Sequence, residues 1–497
     1  MIGIDYFQMM QSLWPEIALV ITAAAVLGFD QFCARGLPLE SRWRGGVLIA
    51  GIGMLAAMTL VVLQKGAVEI QDGMLISNPV VRLLKLAILA MAFFCACLSL
   101  QNRESRHAGE YVILLLLATL GLLILVSSDH LLMIFIAMEL ASLSFYVLAG
   151  FQLENRSSAE AALKYFLFGG VSSAFLLFGL SLLYGLSGEL LLHKMTMAWR
   201  ANPQEPLLVL ALVMVVIGLG FKIAAAPFHG WAPDVYQGAP IPTAAFVASA
   251  SKVGGFLVLA RVMWSGFSGL EGSAAWQAWA PGWVPLLAVL AVVSMVWGNL
   301  AALSQTSVRR LLAYSAIAHS GYMLLGLIAA DPRGISALVY YVITYGLTTL
   351  GAFGVVAVAA PSGNDHWDAF AGLARRSPGL SFCMLVFILS LAGIPPLAGF
   401  FGKVYLFVGA LNSQTSPHAL LWLVAVALGT SVVSFYYYLQ LLKQIYVTPP
   451  SENLPAICPQ FSVQFVLGIL AVFVFVLGLF PEVIMAKTEI FLMEAGW

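Results

Sequence analysis

Fourteen stretches of this chain are each apolar for about 20 residues, enough to cross the hydrocarbon core of a bilayer, and few soluble architectures survive that fact. They run over 13–33, 44–64, 80–100, 111–127, 129–150, 161–186, 206–228, 241–265, 283–303, 311–330, 334–360, 380–411, 418–446 and 461–484, numbered here as spans 1–14. The connections are short, and the longest, 187–205 and 361–379, leave no room for a soluble catalytic domain. The sequence therefore predicts an all-α membrane protein with a single polytopic domain over 1–497. Only 9% of its residues are charged, against about 25% in soluble domains, so lipid is its main solvent.

Bulk charge removes other classes. Lys+Arg and Asp+Glu are equal at 23 each, which leaves no basic excess for nucleic acid. Cys33, Cys95, Cys97, Cys383 and Cys458 have no zinc, cluster or redox spacing and read as packing residues. No Walker loop, Rossmann glycine pattern or haem ligand pair occurs, so the chain has no visible means to bind a nucleotide or hold an electron. The start, MIGIDYFQMM, lacks a basic n-region, and span 1 is expected to be retained. One set of connections carries Arg35, Arg42, Arg44, Arg103, Arg106, Arg156, Arg309, Arg310, Arg375, Arg376 and Lys443. The other carries Lys65, Lys194, Arg200, Arg333 and Lys487, with Arg82, Lys85 and Arg261 near helix ends. This modest bias puts the first connection in the cytoplasm and both termini outside.

A weak internal repeat is visible. Leu131-Leu132 precedes Glu139 by the spacing at which Leu311-Leu312 precedes His319, and Ala162–Phe166 resembles Ala337–Tyr341. Both halves carry a proline break, AAAPFHGWAP around Pro227 and GIPPLAGFFG at Pro395-Pro396. Spans 4–8 and 9–13 thus read as two five-helix copies with broken helices at spans 7 and 12. An odd number of spans per copy makes the copies inverted, a recurring transporter design. The expected division is 1–110 (spans 1–3), 111–265, 283–446 and 461–497.

Four lysines, Lys164, Lys222, Lys252 and Lys403, resist placement at a water interface, and Glu139 is the one acid that does so. A charge at mid-bilayer costs about 2.5–3.5 kcal/mol, and persists where it pairs, faces a wet cavity or titrates. Glu139 reads either as permanent helix-to-helix glue or as half of a Glu–Lys pair. Lys222 lies five residues before Pro227, where freed carbonyls require a cavity or other protein. A deeply buried lysine can titrate near neutrality. Lys252 has small neighbours, Ser249, Ala250, Ser251, Gly254 and Gly255, that leave space for a helix or for water. Lys403 follows the second break. His229 follows Lys222 by seven residues, on the same face if the helix survives Pro227, and His319 takes the repeat position of Glu139. Both histidines, and Lys164 one turn into span 6, are relay candidates; satisfied burial and snorkelling are the alternatives. Tyr436, Tyr437 and Tyr438 read as packing or interface anchors.

FKIAAAPFHGWAPDVYQGAPIPTAAF (221–246), SKVGGF (251–256), MELASLSFYVLAGF (138–151) and LAGIPPLAGFFGKVYLF (391–407) resemble the antiporter-like membrane subunits of respiratory complex I, NADH–quinone oxidoreductase. The resemblance covers at least 111–446. It is strongest to the subunit N branch: the chain stops soon after span 14, and a lysine, Lys403, stands where the middle sister carries glutamate. The resemblance implies that Glu139, Lys222, Lys252 and Lys403 form a hydrated polar axis. It also implies a place among sister antiporter-like and small membrane subunits in a bacterial inner membrane. This chain would bind no cofactor, while NAD, FMN, iron–sulfur clusters and quinone belong to partner subunits. The expected function is proton translocation driven by electron transfer elsewhere. A proton would enter from the cytoplasm near Lys222 and Lys252, pass His319 toward Lys403 and leave outside, with Glu139 tuning Lys222. A few pKa units, at about 1.36 kcal/mol each, match one charge moved against a potential, about 2.3 kcal/mol per 100 mV. Two rivals share these motifs, a subunit of a multi-subunit sodium/proton antiporter and a non-conducting scaffold. A lysine-rich midplane with one carboxylate offers sodium few oxygen ligands and favours protons.

Overall fold

Several spans begin where the sequence supplies a cap. Asn78 accepts from the Val81 amide at 2.8 Å with Pro79 at the first helical position, and Ser307 accepts from Arg310. Asp331 does the same for Arg333, again with a following proline. These side chains satisfy amides that a helix start leaves open, and proline's missing donor costs nothing there. Span 6 ends on Gly188, whose φ of 69° is the left-handed geometry that glycine adopts freely.

The computed structural model describes residues 6–64, 66, 68–70, 74–101, 107–199, 205–360, 365–412, 418–450, 457 and 460–494. Among them, twelve helices are long and apolar enough to cross a membrane. The broken spans 7 and 12 add Pro206–Lys222 and the pair Pro378–Ala392 and Ala398–Leu411, giving the fourteen expected spans. Lys65, Arg103, Arg106, Arg200 and Cys458, used in the sequence reading, lie outside the described residues.

One unit comprises Met1–Leu219 with Val253–Gly269. It holds Tyr6–Gly28, Leu39–Leu63, Pro79–Ser99, Ala108–Ser127, Leu131–Ala149 and the long Arg156–Ser187, which are spans 1–6. The connection after span 6 contains a short helix, Leu192–Trp199, tied to the start of span 5 by Leu192 N to Asp129 O at 3.1 Å. A small hairpin, Val68–Ile70 with Leu75–Ser77, joins spans 2 and 3.

The other unit comprises Gly220–Lys252 and Leu270–Trp497. Its long spans are Trp283–Ala302, Val308–Ile328, Pro332–Ala359, Leu421–Tyr446 and Phe461–Leu479, with the two halves of span 12 among them. Pro332–Ala359, span 11, is buried along its length and packs on Ile241–Ala248, on spans 10 and 14, on both halves of span 12 and on Glu482–Glu494. Carbonyls of Gly326 and Gly334 lie where a Cβ on the other glycine would stand, 2.4 and 2.7 Å away, so spans 10 and 11 meet with no side chain between them.

Span 8 departs from the expected continuous helix. Ile241–Ala248 ends at Ser249, with φ −110° and ψ −84°, and Ala250–Arg261 continues beyond it. No proline marks the step; the Ser249 hydroxyl bonds Ala245 O at 2.7 Å and holds the last turn closed.

Candidate functional site: a line of buried polar groups

Span 7 stops at Lys222, and the chain turns through 223–231 before the short helix Ala232–Gly238. The carbonyls and amides released there find partners, as groups buried in a membrane must. Trp231 Nε1 donates to Phe221 O at 3.2 Å, Ala226 N donates to Ser294 Oγ at 2.9 Å, and Ser320 Oγ donates to Ile223 O at 2.7 Å. Lys222 is 3% exposed. Because the helix ends at Lys222, the two-turn spacing to His229 does not hold. His229 is half-buried with its ring 6.1 Å from that of Trp297, and its Nδ1 has no partner among the described residues.

Ser320 links this break to the next lysine. Lys252 Nζ donates to Ser320 Oγ at 2.6 Å and also to Ala316 O, and stands 5.4 Å from the centre of the Tyr345 ring. All these groups sit on spans 8, 10 and 11 of the second unit.

One residue before Ser320, His319 is held at both ring nitrogens. Nδ1 shares a hydrogen bond with Tyr341 OH at 2.7 Å, and Nε2 shares one with Tyr438 OH at 3.1 Å. Tyr438 OH continues to Ser315 Oγ at 2.5 Å. Each partner is a hydroxyl that both donates and accepts, so a neutral imidazole can take a proton on one side and release it on the other.

The second break places Lys403. Pro378–Ala392 ends at Gly393, φ 84°, and Ala398–Leu411 resumes the span. Lys403 Nζ donates to Leu391 O at 3.0 Å, Ala392 O at 3.2 Å and Ser431 Oγ at 3.1 Å. The ammonium thus faces the negative end of the first half-helix, where unpaired carbonyls accumulate. Gly399 N donates to Ser390 Oγ at 3.2 Å, closing the turn.

In the first unit, Glu139 is half-buried on span 5 and accepts from Ser173 Oγ on span 6 at 2.5 Å. Lys164 is 37% exposed and pairs with Glu160 one turn earlier at 2.7 Å, so it reaches the periphery, contrary to the expectation that it could not. A second correction concerns the acids. Glu16 on span 1 is 5% exposed and forms an ion pair of 2.7 Å with Lys85 on span 3, itself 3% exposed. Glu139 is therefore not alone, and Lys85 is no interface residue. Arg261 is likewise buried, donating to Ser128 O at 2.8 Å.

The sequence reading missed the tyrosines. Tyr438 was set aside as packing, yet it joins His319. Ser431 and Tyr438 are seven residues apart, two helical turns on one face, and that spacing was the available signal.

The profile of the NADH:quinone oxidoreductase/Mrp antiporter transmembrane family matches residues 128–432. An NADH-quinone oxidoreductase subunit N of Acidobacterium capsulatum is 48% identical over 97% of this chain and 99% of its own length. One from Moorella thermoacetica is 38% identical over 93% of this chain and 94% of its own. Among solved structures, a chain of respiratory complex I from Thermus thermophilus superposes with a TM-score of 0.79 at 35% identity, covering 95% of this chain and 98% of that one. A chain of the Mrp complex from a Dietzia species shares the fold, with a TM-score of 0.81 at 18% identity over 97% of this chain and 96% of that one. From the two broken spans through the buried lysines to these matches, the chain belongs to the NADH:quinone oxidoreductase/Mrp antiporter family of membrane subunits.

Proposed function

We propose that this chain is the N-type subunit of the membrane arm of an NADH–quinone oxidoreductase and moves protons as electrons pass from NADH to quinone in other subunits. One observation carries the reading: Lys252, His319 and Lys403 lie within one unit, with hydroxyls on both sides of the histidine and backbone carbonyls at each lysine. Protons enter from the cytoplasm near Lys222 and Lys252, cross at His319 and leave by Lys403, while Glu139 sets the affinity of Lys222. His229 and Lys164 are further relay candidates for this route. NAD, FMN, the iron–sulfur clusters and quinone belong to partner subunits, and this chain holds none of them. Its neighbours are sister antiporter-like subunits and small membrane subunits in a bacterial inner membrane, and both its termini face the periplasm.

The test is Lys252→Ala and, separately, Lys222→Ala in the assembled complex in sealed membrane vesicles. Each should depress NADH-driven proton uptake together with quinone reduction. Normal pumping in a fully assembled variant removes that lysine from the path. Sodium-dependent proton flux by the purified chain reconstituted alone would transfer the assignment to the antiporter class.

A further inference from the structure

Lys403 is a buried cation with no acid on its own helix or on the helices packed most extensively against it. Five helices pack against Ala398–Leu411: Val308–Ile328, Pro332–Ala359, Pro378–Ala392, Leu421–Tyr446 and Phe461–Leu479. None of them, nor Ala398–Leu411 itself, contains an aspartate or glutamate. A buried ammonium without a carboxylate must be stabilised by dipoles and by electron-rich faces. Three dipoles are the carbonyls of Leu391 and Ala392 and the hydroxyl of Ser431. The fourth side is the ring of Tyr322, whose centre is 5.3 Å from Nζ, inside the roughly 6 Å reach of a cation–π contact.

That ring is fixed from its far end. Tyr322 OH donates to Thr430 Oγ1 at 3.2 Å and accepts from Asn299 Nδ2 at 3.0 Å. Asn299 is held in turn, Nδ2 also donating to Met295 O at 2.7 Å and Oδ1 accepting from Tyr437 OH at 3.1 Å. The Tyr322 ring also meets the His319 ring edge-on at 5.5 Å. The side chain therefore stands between the two relay candidates with both ends occupied.

We infer that Tyr322 is a positioning residue whose ring face serves as the counter-charge of Lys403, and that Asn299 and Thr430 hold the ring in place. The inference rests on the reading that Lys403 carries protons. On the helices packed against Ala398–Leu411 the titratable groups are the histidine, tyrosines and basic residues of spans 10, 11 and 13, with Tyr405 on the helix itself. Lys252 is a like charge beyond His319, the first half of span 12 offers only Cys383, and span 14 offers none. None of these is an anion at neutral pH, and the acid that reaches this helix, Glu482, acts on Tyr405.

The experiment measures proton uptake per electron against pH in vesicles carrying the assembled complex. Tyr322→Phe keeps the ring but releases its tethers to Asn299 and Thr430, so its alkaline limb should move less than that of Tyr322→Leu. Tyr322→Leu removes the ring, and Lys403 then holds its proton less well, so the alkaline limb moves about 0.4–1.5 pH units lower, the equivalent of one cation–π contact. Asn299→Leu removes one tether and should move the limb no further than Tyr322→Phe. A Tyr322→Leu limb that overlies the wild type overturns the inference, as does Tyr322→Phe moving as far as Tyr322→Leu. If Tyr322→Leu does not assemble, phenylalanines of increasing fluorination at this position drain the ring face at nearly constant volume. The limb should then step downward with each fluorine, and a flat series overturns the inference. Lys403→Ala separates the two levels. Normal pumping there removes the underlying reading, whereas lost pumping with a ring-insensitive limb removes only the role of Tyr322.

Discussion

Replacing Lys85 by methionine should be the most damaging single change among spans 1–3. The Lys85 side chain is 3% exposed and that of Glu16 is 7% exposed, at 2.7 Å, and Glu16 Oε2 has no further partner among the described residues. Lys85→Met keeps the volume and strands a carboxylate that has lost its one charged neighbour. Breaking a buried pair in this way costs about 3–5 kcal/mol, whereas replacing both partners by apolar groups is often neutral or better. At about 1.4 kcal/mol per decade, the single variant loses roughly two to four decades in the ratio of folded to unfolded chain. Glu16→Leu alone strands the ammonium and should cost a similar amount. Glu16→Leu/Lys85→Met should recover most of the loss. The assay is the yield and thermal midpoint of the assembled membrane arm in mild detergent, followed by proton uptake per electron on whatever assembles. The expected result is strong positive coupling between the two sites with normal pumping in the double variant. Losses that simply add refute the argument that the pair matters as a pair. A stable double variant that fails to pump would make Glu16 and Lys85 part of the proton route.

Gly399→Ala should abolish assembly, because the new Cβ would sit 1.9 Å from Ser390 O, a backbone atom that cannot step aside; recovery of intact complex on native gels reports it. Glu160→Gln should change the thermal midpoint little, since its pair with Lys164 is an exposed one-turn contact with side chains 64% and 37% exposed and such pairs contribute about 0.5 kcal/mol or less. Ser173→Ala removes a hydrogen bond to the Glu139 carboxylate that is worth about 1.5–3 kcal/mol, and on the proposed function it should lower the proton-to-electron ratio while leaving assembly intact.

The span pattern was legible because it is one-dimensional: twenty apolar residues in a row need no partner to be recognised. The two breaks were legible for the same reason, since Pro227 and Pro395-Pro396 deny the helix its backbone donors wherever they stand. Depth was not legible. Lys85 lies six residues past the start of its helix and Glu16 near the beginning of span 1, positions from which a long side chain ordinarily reaches water. The packing of spans 1 and 3 against spans 2 and 4 turns both inward. The step at Ser249 was hidden because no residue there forbids a helix, and the small neighbours of Lys252 suggest room for a helix or for water rather than a break. Tyr438 was lost in a run of three tyrosines, where sequence offers no reason to prefer one ring over the next. The repeat did bring His319 forward through its match to Glu139, yet it said nothing of the hydroxyls that hold both ring nitrogens.

The sheltered position of Pro332–Ala359 has a consequence for how the protein is made. A segment that ends with no lipid neighbour must still cross lipid first, because most of its eventual casing, both halves of span 12, span 14 and Glu482–Glu494, is synthesised after it. Its hydroxyls would be a liability during that interval. Two of them are answered from within: Thr344 Oγ1 donates to Tyr340 O at 2.9 Å and Thr348 Oγ1 to Thr344 O at 2.7 Å, so each carries its acceptor on the preceding turn, whereas the Ser336 and Tyr340 hydroxyls donate to Met485 O and Leu477 O in elements made later. The two threonine bonds can therefore form while the segment waits in the bilayer, and those of Ser336 and Tyr340 close only when Met485 and Leu477 arrive.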